Sequence, residues 1–271
     1  MRIASLQPSI SVILERLGCL DALVACTRYC LAAVPALRRR QLAVVRDSWS
    51  TTAEELLDAH PDLVIASVPY RNESLAAVLK AGCPVLALAP HSLVDIEQDI
   101  RLIAAIAGVA ERAEPIIAEM RSAMDDMRRR TADLPGKPLV YCEEWGKPLI
   151  HSQQWVRELV EAAGGIFLGD PGAVTTPEAV AAADPNVVIA AWCGAGDRVP
   201  LQKLASRPGW EKIRAVKNGR VYCIADELLN TPAPTLIDGL HAIACALHPD
   251  LFGTNGGIRA FHQSRSPANC V

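Results

Sequence analysis

Hydrophobic and polar residues alternate in blocks along this chain, and the blocks read as strands and helices in turn. Ile3–Leu6 is a short apolar run, long enough for a strand. Ile10–Leu17 has helical spacing and stops at Gly18. Leu23–Cys26 predicts a second strand. Thr52–Ala59 predicts a helix with a threonine N-cap and Glu54 or Glu55 in its first turn. Pro61 ends that helix, and Leu63–Ala66 is an uninterrupted apolar run of the kind buried on both faces. A helix over Ser74–Ala81, closed by Gly82, and a strand over Val85–Leu88 complete a βα series, which implies a parallel sheet covered by helices.

The alternation stops at Leu93. No strand candidate occurs before Ala132; Gly108 divides this stretch into two helices, the second expected to cover most of residues 112–130. "DLPGKP", Asp133–Pro138, breaks it. The βα series then resumes with strands at Leu139–Cys142, Val187–Ala191 and Val221–Ala225. The helices between and after them fall at Gln154–Ala163, Pro177–Ala183, Leu201–Ser206, Trp210–Val216 and Thr235–Leu247. From Gly253 the chain is rich in Gly, Ser and Asn and is expected to fray.

One phrase occurs twice. "EELLDAHPDLVIAS" from Glu54 returns as "EAVAAADPNVVIAAW" from Glu178, with Pro61 matching Pro185 and the apolar runs in register. A helix-then-strand phrase said once per half predicts two similar doubly wound α/β lobes. The expected boundaries are a lobe over 1–92, a helical linker over 93–134, a lobe over 135–253 and a flexible tail over 254–271. In open α/β sheets, ligands sit beyond the carboxyl ends of the strands. The loops after the two copies, Ser67–Glu73 and Ala191–Asp197, are therefore expected to face a ligand cleft between the lobes.

Composition narrows the class. The 271 residues are 51% hydrophobic and 21% charged, with a formal net charge of −3. That is a globular chain without the basic character of a nucleic-acid partner; Arg38–Arg40 and Arg128–Arg130 are short solvated runs. No apolar run approaches the roughly 20 residues that span a bilayer. The chain enters a strand at once with no secretory leader. It carries nine cysteines without a disulfide-rich spacing. Both features predict a cytoplasmic protein with reduced thiols, or a periplasmic one if a leader has been removed. No nucleophile elbow, metalloprotease helix or phosphate loop is present. Glu143 and Glu144 are adjacent on a strand and point to opposite faces, so they are not expected to work as an acid/base pair.

The stretches "RIASLQPSISVILERLG", "EELLDAHPDLVIAS", "SLVDIEQDIRLIAAIAG" and "GWEKIRAVKNGRVYCIA" resemble the helical-linker class of substrate-binding proteins. That class binds vitamin B12, ferric siderophores and haem for ABC importers. "VYCEEWGKPLIHSQQWVRELVEAAGG" is most similar to its cobalamin-binding branch. The resemblance spans about Arg2 to Phe252. It implies non-enzymatic binding of a metal chelate, most cobalamin-like, for ABC-type uptake or intracellular carriage. It implies no intrinsic cofactor and an ABC permease as partner. It places ligand contacts at Pro8, Ser9, Arg28, Tyr29, Trp49, Tyr70, Glu144, Trp145, Trp192, Asp226 and Glu227. Trp49, Tyr70 and Trp192 are expected to line one pocket, where flat rings suit a corrin or porphyrin face. Trp155 and Trp210 lie in helices and are expected in the core. The resemblance also implies permease docking through Glu54 and Glu178, although each is equally explained as a first-turn glutamate favoured by the helix dipole. Cys30 and Cys193, with His91 or His151, are candidate metal ligands; the cysteines match the branch's pattern but its histidine is missing. The rival reading is a two-lobed cytoplasmic enzyme, chelatase- or transferase-like, working in the same cleft.

Overall fold

The computed structural model describes residues 1–47, 50–68, 72–80, 82–253 and 257–261. They divide into two compact units, Met1–Ala123 with Thr231–Leu236, and Met124–Asn230 with Ile237 onward. The division falls inside one helix, Ala113–Thr131, where the sequence predicts the linker.

The first lobe is a five-stranded sheet: β1 (Ile3–Ser5), β2 (Leu23–Thr27), β3 (Ala43–Val45), β4 (Leu63–Ser67) and β5 (Val85–Leu88). Every pairing is parallel, in the order β3-β2-β1-β4-β5. Helices Pro8–Arg16, Arg28–Ala33, Ala53–Leu57 and Asn72–Lys80 supply the crossovers. The central strands are buried on both faces, which is why they read as continuous apolar runs. β3 is absent from the sequence expectation. It is a three-residue edge strand with Val44 54% exposed, so burial imposes no pattern on it.

The second lobe is built on β6 (Leu139–Gly146), β7 (Leu149–His151), β8 (Ile166–Phe167), β9 (Val174–Thr175), β10 (Val187–Ala190), β11 (Val221–Ile224) and β12 (Ile258–Ala260). The order is β12-β11-β10-β6-β7-β9, with β8 against the start of β6. β6, β10 and β11 are parallel, as expected for a βα series, and β8 joins them in parallel; β7 pairs antiparallel with both β6 and β9, and β12 pairs antiparallel with β11. β6 therefore extends four residues beyond the predicted Cys142 and turns straight into a hairpin. Part of the tail expected to fray from Gly253 instead forms the edge strand β12 on β11, while residues 262–271 lie outside the described residues.

The repeated phrase has the same structural place in each lobe. β4 lies between β1 and β5, and β10 lies between β6 and β11. The residue before each proline, His60 and Asp184, is left-handed at φ 48°. Proline disfavours a preceding right-handed helical residue, and the chain leaves the helix through this conformation. The residue after each proline then clamps the lobe's first strand. Asp62 Oδ2 accepts from Arg2 N at 2.7 Å, and Asn186 Oδ1 accepts from Leu139 N at 2.8 Å. Both also donate their backbone N–H across the same junction, Asp62 to Arg2 O and Asn186 to Leu139 O, each at 2.8 Å.

Helix Leu93–Ile106 ends through Gly108 at φ 76°, and a 3-10 turn leads into Ala113–Thr131. Glu97, 6% exposed, ties the two helices by accepting both guanidinium arms of Arg121 at 2.9 and 2.6 Å. Two residues further on, Asp99 is half-buried. Burial, reinforced by Asp95, raises its carboxyl from 3.8 to about 6. A carboxyl raised on folding adds stability that is complete below its unfolded value and is lost as pH rises through the folded one. Asp99→Asn is therefore expected to raise the melting temperature at pH 7.5 and leave it unchanged at pH 3. Thermal melts at the two pH values check this, and equal shifts at both would refute it.

Candidate functional site

The carboxyl ends of the parallel strands carry the chemistry in each lobe. In the first lobe β1 runs into the helix that opens with Pro8 at its first position and Ser9 behind it. Ser9 is 2% exposed, and among the described residues its Oγ has no hydrogen-bond partner. β2 runs into the helix Arg28–Ala33, whose N-cap Thr27 accepts from Cys30 N. Arg28 and Tyr29 stand exposed at its tip, the guanidinium 4.8 Å from the ring centroid and hydrogen-bonded to the phenol oxygen at 2.9 Å. Cys30 turns the other way. It is fully buried, with Sγ 3.3 Å from Thr27 Oγ1 and 3.7 Å from Ser5 Oγ. Trp49 and Tyr70 lie outside the described residues.

In the second lobe the two adjacent glutamates separate as expected for strand neighbours, and each enters its own network. Glu143 is fully buried. Its carboxylate accepts Arg207 at 2.5 and 2.9 Å, Tyr141 Oη at 2.9 Å and Trp192 Nε1 at 2.8 Å. Glu144 sits on the opposite face at an irregularity in the β6–β7 pairing. Gln153 Nε2 donates to it at 2.8 Å, and the Cys193 thiol lies 3.7 Å away. Burial pushes the Glu144 carboxyl up, and burial with the neighbouring Glu144 charge pushes the Cys193 thiol up, so Cys193 stays a thiol at neutral pH. Asn230 Nδ2 closes this cluster, donating to Ala191 O at 2.6 Å and to Cys193 Sγ at 3.3 Å.

The loop after β10 is held from below by Asp226. Its carboxylate oxygens accept Gly194 N and Gly196 N, both at 2.7 Å, at glycines of positive φ. Asp226 opens a short helix after β11, with Glu227 exposed beside it. Trp145 is 44% exposed on the β6–β7 hairpin, its indole N–H bonded to Lys147 O at 2.9 Å. Trp192 is half-buried. Trp155 and Trp210 are core residues, at 4% and 0% exposure, as their helical positions predict.

Sequence reasoning missed Arg207, Gln153, Asn230 and Gly146. Arg207 and Asn230 belong to no quoted motif, and Gly146 and Gln153 lie within the Val140–Gly165 stretch without being singled out; each matters through the chain that folds against it. Among the described residues, no group of three or more His, Cys, Asp or Glu side chains is placed to hold a metal ion. His151 is buried among Tyr141 and Phe167 in the second lobe, with burial lowering its imidazole below the ordinary range. His91 is exposed near Asp95.

Glu54 and Glu178 are both exposed second residues of the repeated helices. The first helix carries a full capping box between Thr52 and Glu55. The second has Thr176 as N-cap and Pro177 at its first position.

Residues 3–228 match the sequence model described as "Periplasmic binding protein". The chain belongs to that family. Its members are solute-binding, non-enzymatic proteins, which sets aside the chelatase- or transferase-like alternative. The ABC transporter substrate-binding lipoprotein YvrC of Bacillus subtilis is 25% identical over 263 residues, covering 93% of this chain and 81% of that protein. A cobalamin-binding protein of Halobacterium salinarum is 23% identical over 258 residues, covering 91% and 69%. Among solved structures, the periplasmic heme-binding protein RhuT of Roseiflexus sp. RS-1 is similar at a TM-score of 0.77. It is 26% identical, with 91% of this chain and 99% of that one covered. The two-lobed α/β architecture expected from the repeat is the architecture of this family. Among the described residues no helix is long and apolar enough to cross a membrane.

Proposed function

We propose that this periplasmic binding protein captures a cobalamin-like metal chelate and delivers it to an ABC permease. The observation that carries this reading is the loop set at the carboxyl ends of β6, β10 and β11. Two indoles, Trp145 and Trp192, stand there beside neutral hydrogen-bonding groups of Gln153 and Asn230. Indole faces bury large area against a flat macrocycle with little loss of side-chain entropy. The remaining acidic groups there, Glu144, Asp226 and Glu227, bring no positive charge to receive carboxylate arms. On the second lobe this suits the amide-fringed corrin, in line with the cobalamin-binding relative, while Arg28 of the first lobe supplies a positive charge among the assigned groups. The heme-binding structure keeps haem as the second reading. In the first lobe Pro8, Ser9, Arg28, Tyr29, Trp49 and Tyr70 are assigned to the same ligand, and Glu54 and Glu178 to the permease. An exported place of work, matching relatives named periplasmic or lipoprotein, fits this role better than the cytoplasmic expectation.

The test is an absorbance spectrum of the protein before and after incubation with cyanocobalamin, haemin and a ferric siderophore, each followed by desalting. Retention of the corrin bands at one equivalent is expected. Retention of the haemin Soret band alone would transfer the reading to haem, and a colourless protein in all three would overturn it.

A further inference from the structure

The geometry points to Glu143 and Gly146 as positioning residues that hold the Trp192 ring in place for the ligand, an inference that rests on the proposed chelate-binding role. Trp192 follows β10 and has no regular element of its own to fix its side chain. Two residues of the neighbouring strand β6 do so instead. Glu143 takes the indole N–H at 2.8 Å and cannot move, because Arg207 grips the same carboxylate with two nitrogens and Tyr141 with its hydroxyl. Charge-assisted bonds of this kind are short and directional, so the indole is held by its nitrogen edge. The benzo ring next to that nitrogen is fixed by contact. A Cβ built on Gly146 would lie 2.6 Å from Trp192 Cζ2 and 3.0 Å from Cε2 and Cη2. The benzo ring therefore occupies the space that any other residue at 146 would fill.

These two contacts make a slot: a hydrogen bond at the indole nitrogen and, beside it, a missing side chain that leaves room for the benzo ring. The glycine's backbone is not left-handed, so conformational freedom is no reason for it there. Its role is to leave room. Neither residue touches a ligand in this assignment. Both act through Trp192, and a ring locked before binding loses less rotamer freedom when the ligand arrives.

Gly146→Ala tests the slot without disturbing the Glu143–Arg207 pair. The atoms it meets are the far end of a side chain, so the ring swings away while the strand persists. Titrations with cyanocobalamin and with haemin are expected to show at least a tenfold weakening of whichever chelate the wild type binds. The near-UV circular dichroism band that Trp192→Phe removes should also change, with the far-UV spectrum unaltered. Trp192→Phe, which keeps a ring but has no N–H for Glu143, is expected to bind at least fivefold more weakly. If Gly146→Ala loses its far-UV spectrum, Trp192→Phe decides the matter. Binding within twofold of wild type in the folded variants would overturn the positioning role while leaving the chelate-binding role intact. A wild type that binds neither probe would remove both.

Discussion

Arg207→Met is expected to destabilise the second lobe by about 3–5 kcal/mol, the usual scale for a buried ion pair that loses one partner. Glu143 has no exposed surface, and the Arg207 side chain is 14% exposed. The guanidinium also lies over the Trp210 ring, 4.8 Å from its centroid, so packing is lost with the charge. The stranded carboxylate would retain only the Tyr141 hydroxyl and the Trp192 N–H. A carboxylate buried without its cation takes up a proton more readily. The deficit of the variant should therefore shrink as pH falls, since its folded form then binds the proton that relieves it. Replacing both partners, Glu143→Leu with Arg207→Met, should recover much of the loss, because no uncompensated charge remains. Urea unfolding of the two singles and the double at pH 7 and pH 5 measures all of this. A single variant within 1 kcal/mol of wild type would mean that the pair is not formed.

Gly239→Ala sets two effects of opposite sign against each other. Gly239 lies inside the helix Leu236–Leu247, where alanine is intrinsically better by about 1 kcal/mol. In this fold its Cβ would sit 2.1 Å from the carbonyl oxygen of Leu228 and 3.0 Å from Leu229 Cδ2. The nearest neighbour is backbone and cannot rotate aside. Forcing a methyl group into a filled space costs about 1–3 kcal/mol, and more where the backbone must shift. The backbone clash puts the cost at the upper end of that range, it outweighs the propensity, and a net loss of about 2 kcal/mol is expected. Differential scanning calorimetry should show a lower melting temperature. A more stable variant would show that this helix and the Leu228 carbonyl are not in contact.

The positions that the sequence left unread share a physical cause. Short edge strands such as β3, β9 and β12 bury too little for a period to appear. Arg207 and Asn230 carry no local signal, and nothing within the Val140–Gly165 stretch sets Gln153 and Gly146 apart, because each acquires its role from the side chain that folds against it. The hairpin of β6 and β7 turns at Lys147-Pro148, between a strand expected to end at Cys142 and a helix expected from Gln154, where the sequence pattern predicts no strand.

What the chain determined by itself is the architecture. The apolar runs at Leu63–Ser67 and Val187–Ala190, the prolines before them and the strand-free stretch from Leu93 specify two α/β lobes with a helix running from one into the other. These signals are local, set by burial on both faces of a strand and by the backbone limits of proline. Tertiary structure alone decided what each polar residue does. Adjacent glutamates became a buried ion-pair partner and a half-buried acceptor because opposite faces of β6 meet different neighbours. Cys30 went to the core and Cys193 to a loop, although both are cysteines just past the end of a strand. Asp226, expected at the ligand, also braces the loop that carries Trp192. Hydrogen bonds and ion pairs depend on distances of a few ångströms between residues tens of positions apart, and only the folded chain brings those distances into being.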